Sequence, residues 1–81
     1  MVKEWIVNWF VENTGVTKED IILNLNVSYF EKKWLDSYAF INFISDIEEK
    51  FDISFSNEEF QNREFATIEG LACIIERKIN G

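Results

Sequence analysis

The sequence predicts an all-α domain, a bundle of four helices with three longer members, one short third helix and a long loop between the first and second. Three observations carry that expectation. Apolar residues recur near a 3.6-residue period in three separate stretches. Residues that cap helices stand in front of the later stretches. The one alternating segment, "DISFSN", has no second alternating segment to pair with, and a lone strand is not stable.

In "KEWIVNWFVENTG" the apolar residues Trp5, Ile6, Trp9, Phe10 and Val11 mark a first helix over Val2 to Asn13, ended by Gly15. Thr17 and Asp20 have the spacing to open a short helical turn. Asn24 to Leu35 mixes polar and apolar residues without a period and is expected as a long ordered loop, pinned to the core by Val27, Tyr29 and Phe30.

The second helix is expected to begin at Ser37. Phe40, Phe43, Ile44, Ile47 and Phe51 form one apolar stripe, with Asn42, Ser45, Asp46, Glu48 and Glu49 opposite. Asp52 ends the run. "DISFSN" is then an extended connector. Ser56 and Glu59 have capping-box spacing for a short helix around Asn57 to Gln61. Thr67 is placed to cap a last helix through Ile79, with Ile68, Leu71, Ala72, Ile75 and Ile79 as its stripe. Gly70 inside it costs about 1 kcal/mol relative to Ala, which is consistent with a close helix approach there.

Bulk composition bounds the function. With 81 residues and 47% of them hydrophobic, residues 1–81 are expected to form one small domain with one modest core. The net charge of −7, from 15 acidic and 8 basic residues, repels nucleic-acid backbones and anionic membrane surfaces. It suits docking on basic partner surfaces. No apolar run reaches the roughly 20 residues of a membrane span, and Glu4, Asn8 and Glu12 interrupt the N-terminal stretch, so neither membrane insertion nor a signal peptide is expected. The single cysteine, Cys73, cannot form an internal disulfide, and a reducing cytoplasm is the expected setting. Flanked by "LACII", Cys73 is expected to be inert core.

Asp36 and Ser37 stand where the second helix begins. Helix capping accounts for such a pair at least as well as a reactive role does, since a side-chain oxygen accepts an orphan backbone N–H there for about 1 kcal/mol. A serine hydrolase lacks its parts here: the chain has no histidine and no Ser-x-x-Lys pair. A metal site is equally poorly supplied, because "DIEE" at Asp46 to Glu49 lacks the glycine-containing loop of an EF-hand. No catalytic residue and no metal ligand set is expected. A hydroxyl that another enzyme modifies needs neither base nor metal, only exposure.

The stretch "LDSYAFINFISDIEEKF" resembles the Asp-Ser motif and following helix of phosphopantetheine carrier proteins, the acyl, peptidyl and D-alanine carriers. That family's usual pattern is Gly-x-Asp-Ser-Leu/Met, apolar residues at helical spacing, a Glu-Glu pair and a Phe. Asp36, Ser37, Phe43, Ile47, Glu48, Glu49 and Phe51 occupy those places. "FDIS" resembles the family's "FGIxI" segment, and "FATIEGLACII" its last helix, with Thr67 as cap. The resemblance covers most of the chain and is weakest before Ser28. Two positions depart from it. Trp34 stands where Gly is usual and Tyr38 where Leu or Met is usual, and both adjoin the expected modification site.

The resemblance implies an acyl carrier protein type of bundle, with 4′-phosphopantetheine attached covalently to Ser37, beside Asp36. A phosphopantetheinyl transferase would take the arm from coenzyme A with Mg²⁺. The arm's thiol would hold an acyl or aminoacyl group as a thioester. A loading ligase and a downstream transferase or synthase would be the further partners of a monomeric carrier that catalyses nothing itself. Partner docking is expected on Tyr38, Ile41, Asn42, Ser45, Glu48 and Glu49, with Tyr38 and Ile41 as a small apolar hot spot flanked by acids. The spacing from Ser37 to Phe60, Arg63, Phe65 and Thr67 in "NEEFQNREFATIE" resembles that of D-alanine carriers, and stand-alone carriers of secondary-metabolite pathways share it. The competing class is an unmodified acidic interaction module.

Overall fold

A computed structural model describes residues 2–81. Helix α1 runs Val2–Thr14, α2 Lys18–Leu23, α3 Ser37–Phe51, α4 Asn57–Phe60 and α5 Ile68–Asn80, with a 3₁₀ turn at Arg63–Ala66. No strand occurs among the described residues, and within "DISFSN" the connector between α3 and α4 is Ile53 to Ser56, with Asp52 ending α3 in left-handed backbone and Asn57 opening α4. The body measures 31 × 24 × 20 Å.

The core forms where the three apolar stripes meet. Ile6 and Phe10 of α1, Phe43 and Ile47 of α3, and Ile68, Leu71 and Ile75 of α5 are fully enclosed. Aromatic edges fix the angle between α1 and α3: the Trp9 ring lies 4.6 Å from Phe43, and Phe10 lies 5.1 Å from Phe43. Trp9 Nε1 also donates to Asp46 of α3 at 2.8 Å. Asp46 remains exposed, as its sequence position implies, and accepts this bond at the edge of the α1–α3 contact.

The expected helical turn after Gly15 is a six-residue helix, α2. Thr17 caps it by accepting from the Asp20 N–H at 3.2 Å, and Ile21 carries its one buried side chain. The long loop that follows is pinned differently from the expectation. Tyr29 is its anchor: it is fully buried, its N–H donates to the Ala66 carbonyl at 3.0 Å, and its hydroxyl donates to the Phe65 carbonyl. Burial pushes that phenol well above the usual tyrosine range. Phe30 is 41% exposed and leans on Tyr29 and Phe40, each ring 5.0 Å away. Val27 does not pack on the core at all; Leu25, Trp34 and Leu35 do so instead.

Residues 28–34 form one closed turn. The Ser28 hydroxyl accepts from the Phe30 and Glu31 N–H groups. At its far end Trp34 N–H reaches Tyr29 O and Lys33 N–H reaches Phe30 O, at 3.1 and 3.0 Å, with Lys33 at φ 61°. This is the hydrogen-bond pattern that ends helices with a left-handed residue, usually glycine. The left-handed position is therefore Lys33, and the bulky Trp34 next to it meets no conformational penalty.

The C-terminal part is built on caps. Ser56 and Glu59 form the expected box, through Glu59 N–H to Ser56 Oγ at 3.3 Å and Ser56 N–H to Glu59 Oε1 at 2.8 Å. Lys78 pairs with Glu59 at 2.9 Å and ties α4 to α5. Burial opposes ionisation of Glu59, but the Ser56 backbone N–H and the Lys78 ammonium outweigh it and lower the carboxyl's pKa. Thr67 caps α5 by accepting from Gly70 N–H at 3.0 Å. Gly70 does allow a close approach, though to the 3₁₀ turn: a Cβ there would lie 2.3 Å from the Glu64 carbonyl oxygen.

Two expectations for α5 fail for one reason, the rotation of its buried face. That face runs through Leu71, Ala72, Ile74 and Ile75. Ile74 is included, Ile79 is 48% exposed, and Cys73 lies on the outside as a free, exposed thiol rather than in the core.

Candidate functional site

The start of α3 separates two roles that the sequence left joined. Asp36 is the cap: its backbone is extended, its Oδ1 accepts from Ala39 N–H at 2.8 Å, and its carbonyl accepts from Phe40 N–H at 2.9 Å. Ser37 is the first helical residue and is exposed. With the capping done by the carboxylate, the Ser37 hydroxyl engages no hydrogen bond among the described residues and faces solvent. A phosphodiester fits there, because the unpaired N–H groups and dipole of a helix start favour negative charge.

Most of the expected docking residues are exposed along the helix that begins at that hydroxyl. Tyr38 and Ile41 are 77% and 65% exposed, and Asn42, Ser45 and Glu49 are exposed on the same helix. Glu48 is different. It is half-buried, and its Oε2 accepts from Phe55 N–H at 3.0 Å, fastening the connector after α3. Its first task is structural.

Sequence reasoning passed over Phe60 as a surface residue. It stands 41% exposed on α4 and, with Phe40, Ile41, Ile44 and Ser45, lines a shallow groove of about 240 Å³ on the α3 face. The signal was available: a capped four-residue helix is too short to bury all its side chains. Beneath the groove the space between α3 and α5 is filled with rings. Phe40 lies 6.0 Å from Phe65 and 6.5 Å from Tyr29, and Phe65 lies 5.0 Å from both Phe55 and Phe60. Larger grooves lie elsewhere, among them one between α1, α2 and α5 and one where α1 meets the end of α3.

The described residues hold no group of His, Cys, Asp and Glu able to bind a metal ion, and no helix among them is long and apolar enough to cross a membrane. The family model for the phosphopantetheine attachment site matches residues 4–73, a span that takes in Asp36, Ser37 and most of the core. The chain is 36% identical over 58 residues to the D-alanyl carrier protein of Listeria welshimeri, covering 72% of this chain and 74% of that one. It is 34% identical, with the same coverage, to the D-alanyl carrier protein of Listeria monocytogenes. No solved structure matches it significantly. The helical bundle, the matched attachment-site model and these relatives agree: the chain belongs to the phosphopantetheine carrier protein family, whose members bear a 4′-phosphopantetheine arm on a serine and use it to deliver acyl or aminoacyl groups between enzymes.

Proposed function

We propose that Ser37 is the serine that carries the arm, and that its cargo is an amino acid, with D-alanine favoured. The observation that carries the first part is the division of labour at the start of α3. Asp36 alone caps the helix, and the adjacent hydroxyl is exposed and unengaged. The transfer balances simply. Ser37 Oγ attacks the phosphorus that bears the pantetheine moiety of coenzyme A, a P–O bond forms, the diphosphate P–O bond breaks, and adenosine 3′,5′-bisphosphate leaves. The serine proton passes to a base on the transferase, since this chain has no histidine and the adjacent Asp36 carboxylate is engaged by the Ala39 N–H. Once attached, the arm supplies a thiol for thioester formation.

The single domain 1–81 then acts as a carrier with no catalysis of its own, at work in the cytoplasm where coenzyme A is the donor. Its partners are the transferase, an amino-acid-loading ligase and an acceptor enzyme. Tyr38, Ile41, Asn42, Ser45 and Glu49 form the docking face, and Glu48 supports it by holding the connector. The D-alanine assignment is supported by the names of the Listeria relatives and by an interior filled with rings beside the site.

Intact-mass measurement tests the site. Co-expression with a broad-specificity transferase raises the wild-type mass by one phosphopantetheine and leaves Ser37→Ala unchanged. A wild-type mass that stays constant with several transferases supports the unmodified interaction module instead. The cargo is tested by giving the modified protein ATP and a D-alanine-activating ligase. A hydroxylamine-labile gain of one alanyl group is expected, and selective loading with fatty acyl groups contradicts the assignment.

A further inference from the structure

Between Lys18 and Lys50 the only cations are Lys32 and Lys33, which immediately precede the Ser37 segment. Lys3, Arg77 and Lys78 are each taken up in ion pairs, with Glu69, Glu64 and Glu59. Lys32 and Lys33 are exposed and make no ion pair among the described residues. The turn that bears them is seated against the start of α3: Phe30 of the turn packs on Phe40, one helical turn past Ser37, with ring centroids 5.0 Å apart. Lys33 precedes Ser37 by four positions, at most about 14 Å of extended chain, and its side chain adds further reach. The turn is also closed at both ends, by the Ser28 hydroxyl and by the paired bonds at Lys33 and Trp34, so the backbone that carries the two lysines is held in place. Lysine is not the residue that backbone geometry prefers at position 33. A φ of 61° suits glycine, and lysine there has a conformational cost that its packing does not repay.

An acidic carrier meets a problem at its modification step. With a net charge of −7 it must approach a donor that carries a diphosphate and a further phosphate. Like charges slow such an encounter, and local cations restore it. We infer that Lys32 and Lys33 form a phosphate-steering edge beside Ser37, positioning residues that meet the anionic donor during phosphopantetheine transfer. The inference rests on Ser37 being the attachment residue. It assigns to this pair an electrostatic task that the acidic docking face of α3 cannot perform.

The test uses the full chain, coenzyme A and a broad-specificity transferase. Lys32→Gln/Lys33→Gly removes both charges while giving position 33 the residue its backbone favours, so the turn is retained. Transfer to this variant should show kcat/KM lowered about three- to tenfold at low ionic strength. The deficit should shrink towards unity in 0.5 M salt, where the screening length is only a few ångströms. Lys32→Arg/Lys33→Arg should restore the rate, and Lys18→Gln on α2 should transfer as wild type does. A double variant that transfers at the wild-type rate in low salt overturns the inference, as does a deficit that salt leaves unchanged. If the wild-type chain itself takes no arm, the attachment assignment fails first, and the two failures are thereby told apart.

Discussion

Two helix starts in this molecule place a serine and a carboxylate close together and use them in opposite ways. At α4 the Ser56 hydroxyl caps the helix and Glu59 closes the box, so the hydroxyl is consumed by structure. At α3 the Asp36 carboxylate caps and the Ser37 hydroxyl is left over. Thr17 and Thr67 cap α2 and α5 in the manner of Ser56. Of these four starts, α3 alone is capped by a carboxylate. If Ser37 carries the arm as proposed, its hydroxyl has to be free of capping, and the neighbouring aspartate frees it. What matters is which residue of the pair holds the N-cap place.

The contrast extends to packing, and the largest expected effect lies on the closed side. Gly70 sits in the first turn of α5, where an added Cβ would stand 2.3 Å from the Glu64 carbonyl oxygen. The obstacle is backbone, so the 3₁₀ turn would have to move. Overpacking of that kind costs about 3 kcal/mol, and the helix propensity gained from alanine returns about 1 kcal/mol. Gly70→Ala should therefore lose about 2 kcal/mol, a fall of about 10 °C in Tm for a domain this size. Ser37→Ala, on the open side, should shift Tm by less than the scatter between preparations while abolishing modification. Equal tolerance at the two positions, read by thermal unfolding, would remove the distinction between a packed scaffold and an open site.

The caps themselves give the next effect in size. Asp36→Ala should cost about 1 kcal/mol, through loss of the bond to Ala39 N–H and of a negative charge at a helix start. Ser37→Ala should be neutral. At α4 the order inverts: Ser56→Ala should cost about 1 kcal/mol, and replacing the adjacent exposed Asn57 should be neutral. Urea midpoints of the four single variants check the pattern. A Ser37→Ala loss as large as that of Asp36→Ala would mean that the serine hydroxyl supports the helix after all.

Local chemistry was legible in the sequence, and long-range placement was not. The stripes of α1 and α3, that of α5 as far as Ile75, and the caps at Thr17, Ser56 and Thr67 depend on residues within one or two turns, and they stand where the sequence put them. The misplaced residues depend on how one element folds against another. Glu48 holds a connector that folds back on it. Cys73 has apolar neighbours, but the rotation of α5 against α1 and the 3₁₀ turn decides which of them point inward. In the site, the Asp36–Ser37 pair and the exposed Tyr38 and Ile41 were readable. The groove wall formed by Phe60 depends on how α4 sits over α3 and was not.

The smallest effects concern the two non-glycine residues with left-handed backbone among the described residues, one on each side of the comparison. Asp52 ends α3 at φ 54° and Lys33 ends the turn before it at φ 61°. Aspartate tolerates this region better than lysine does. Asp52→Gly should still gain a few tenths of a kcal/mol, because it also removes an anion from the negative end of a helix dipole. Lys33→Gly should gain up to about 1 kcal/mol from relief of the left-handed backbone, less what the freer unfolded chain takes back. The two substitutions differ in what else they change. Asp52 lies past the end of α3 remote from Ser37, so Asp52→Gly should raise the unfolding midpoint with no effect on arm transfer. Lys33→Gly should raise it and slow transfer together. A stabilised Lys33→Gly that is modified as fast as wild type would leave the lysine with a conformational cost and no compensating role.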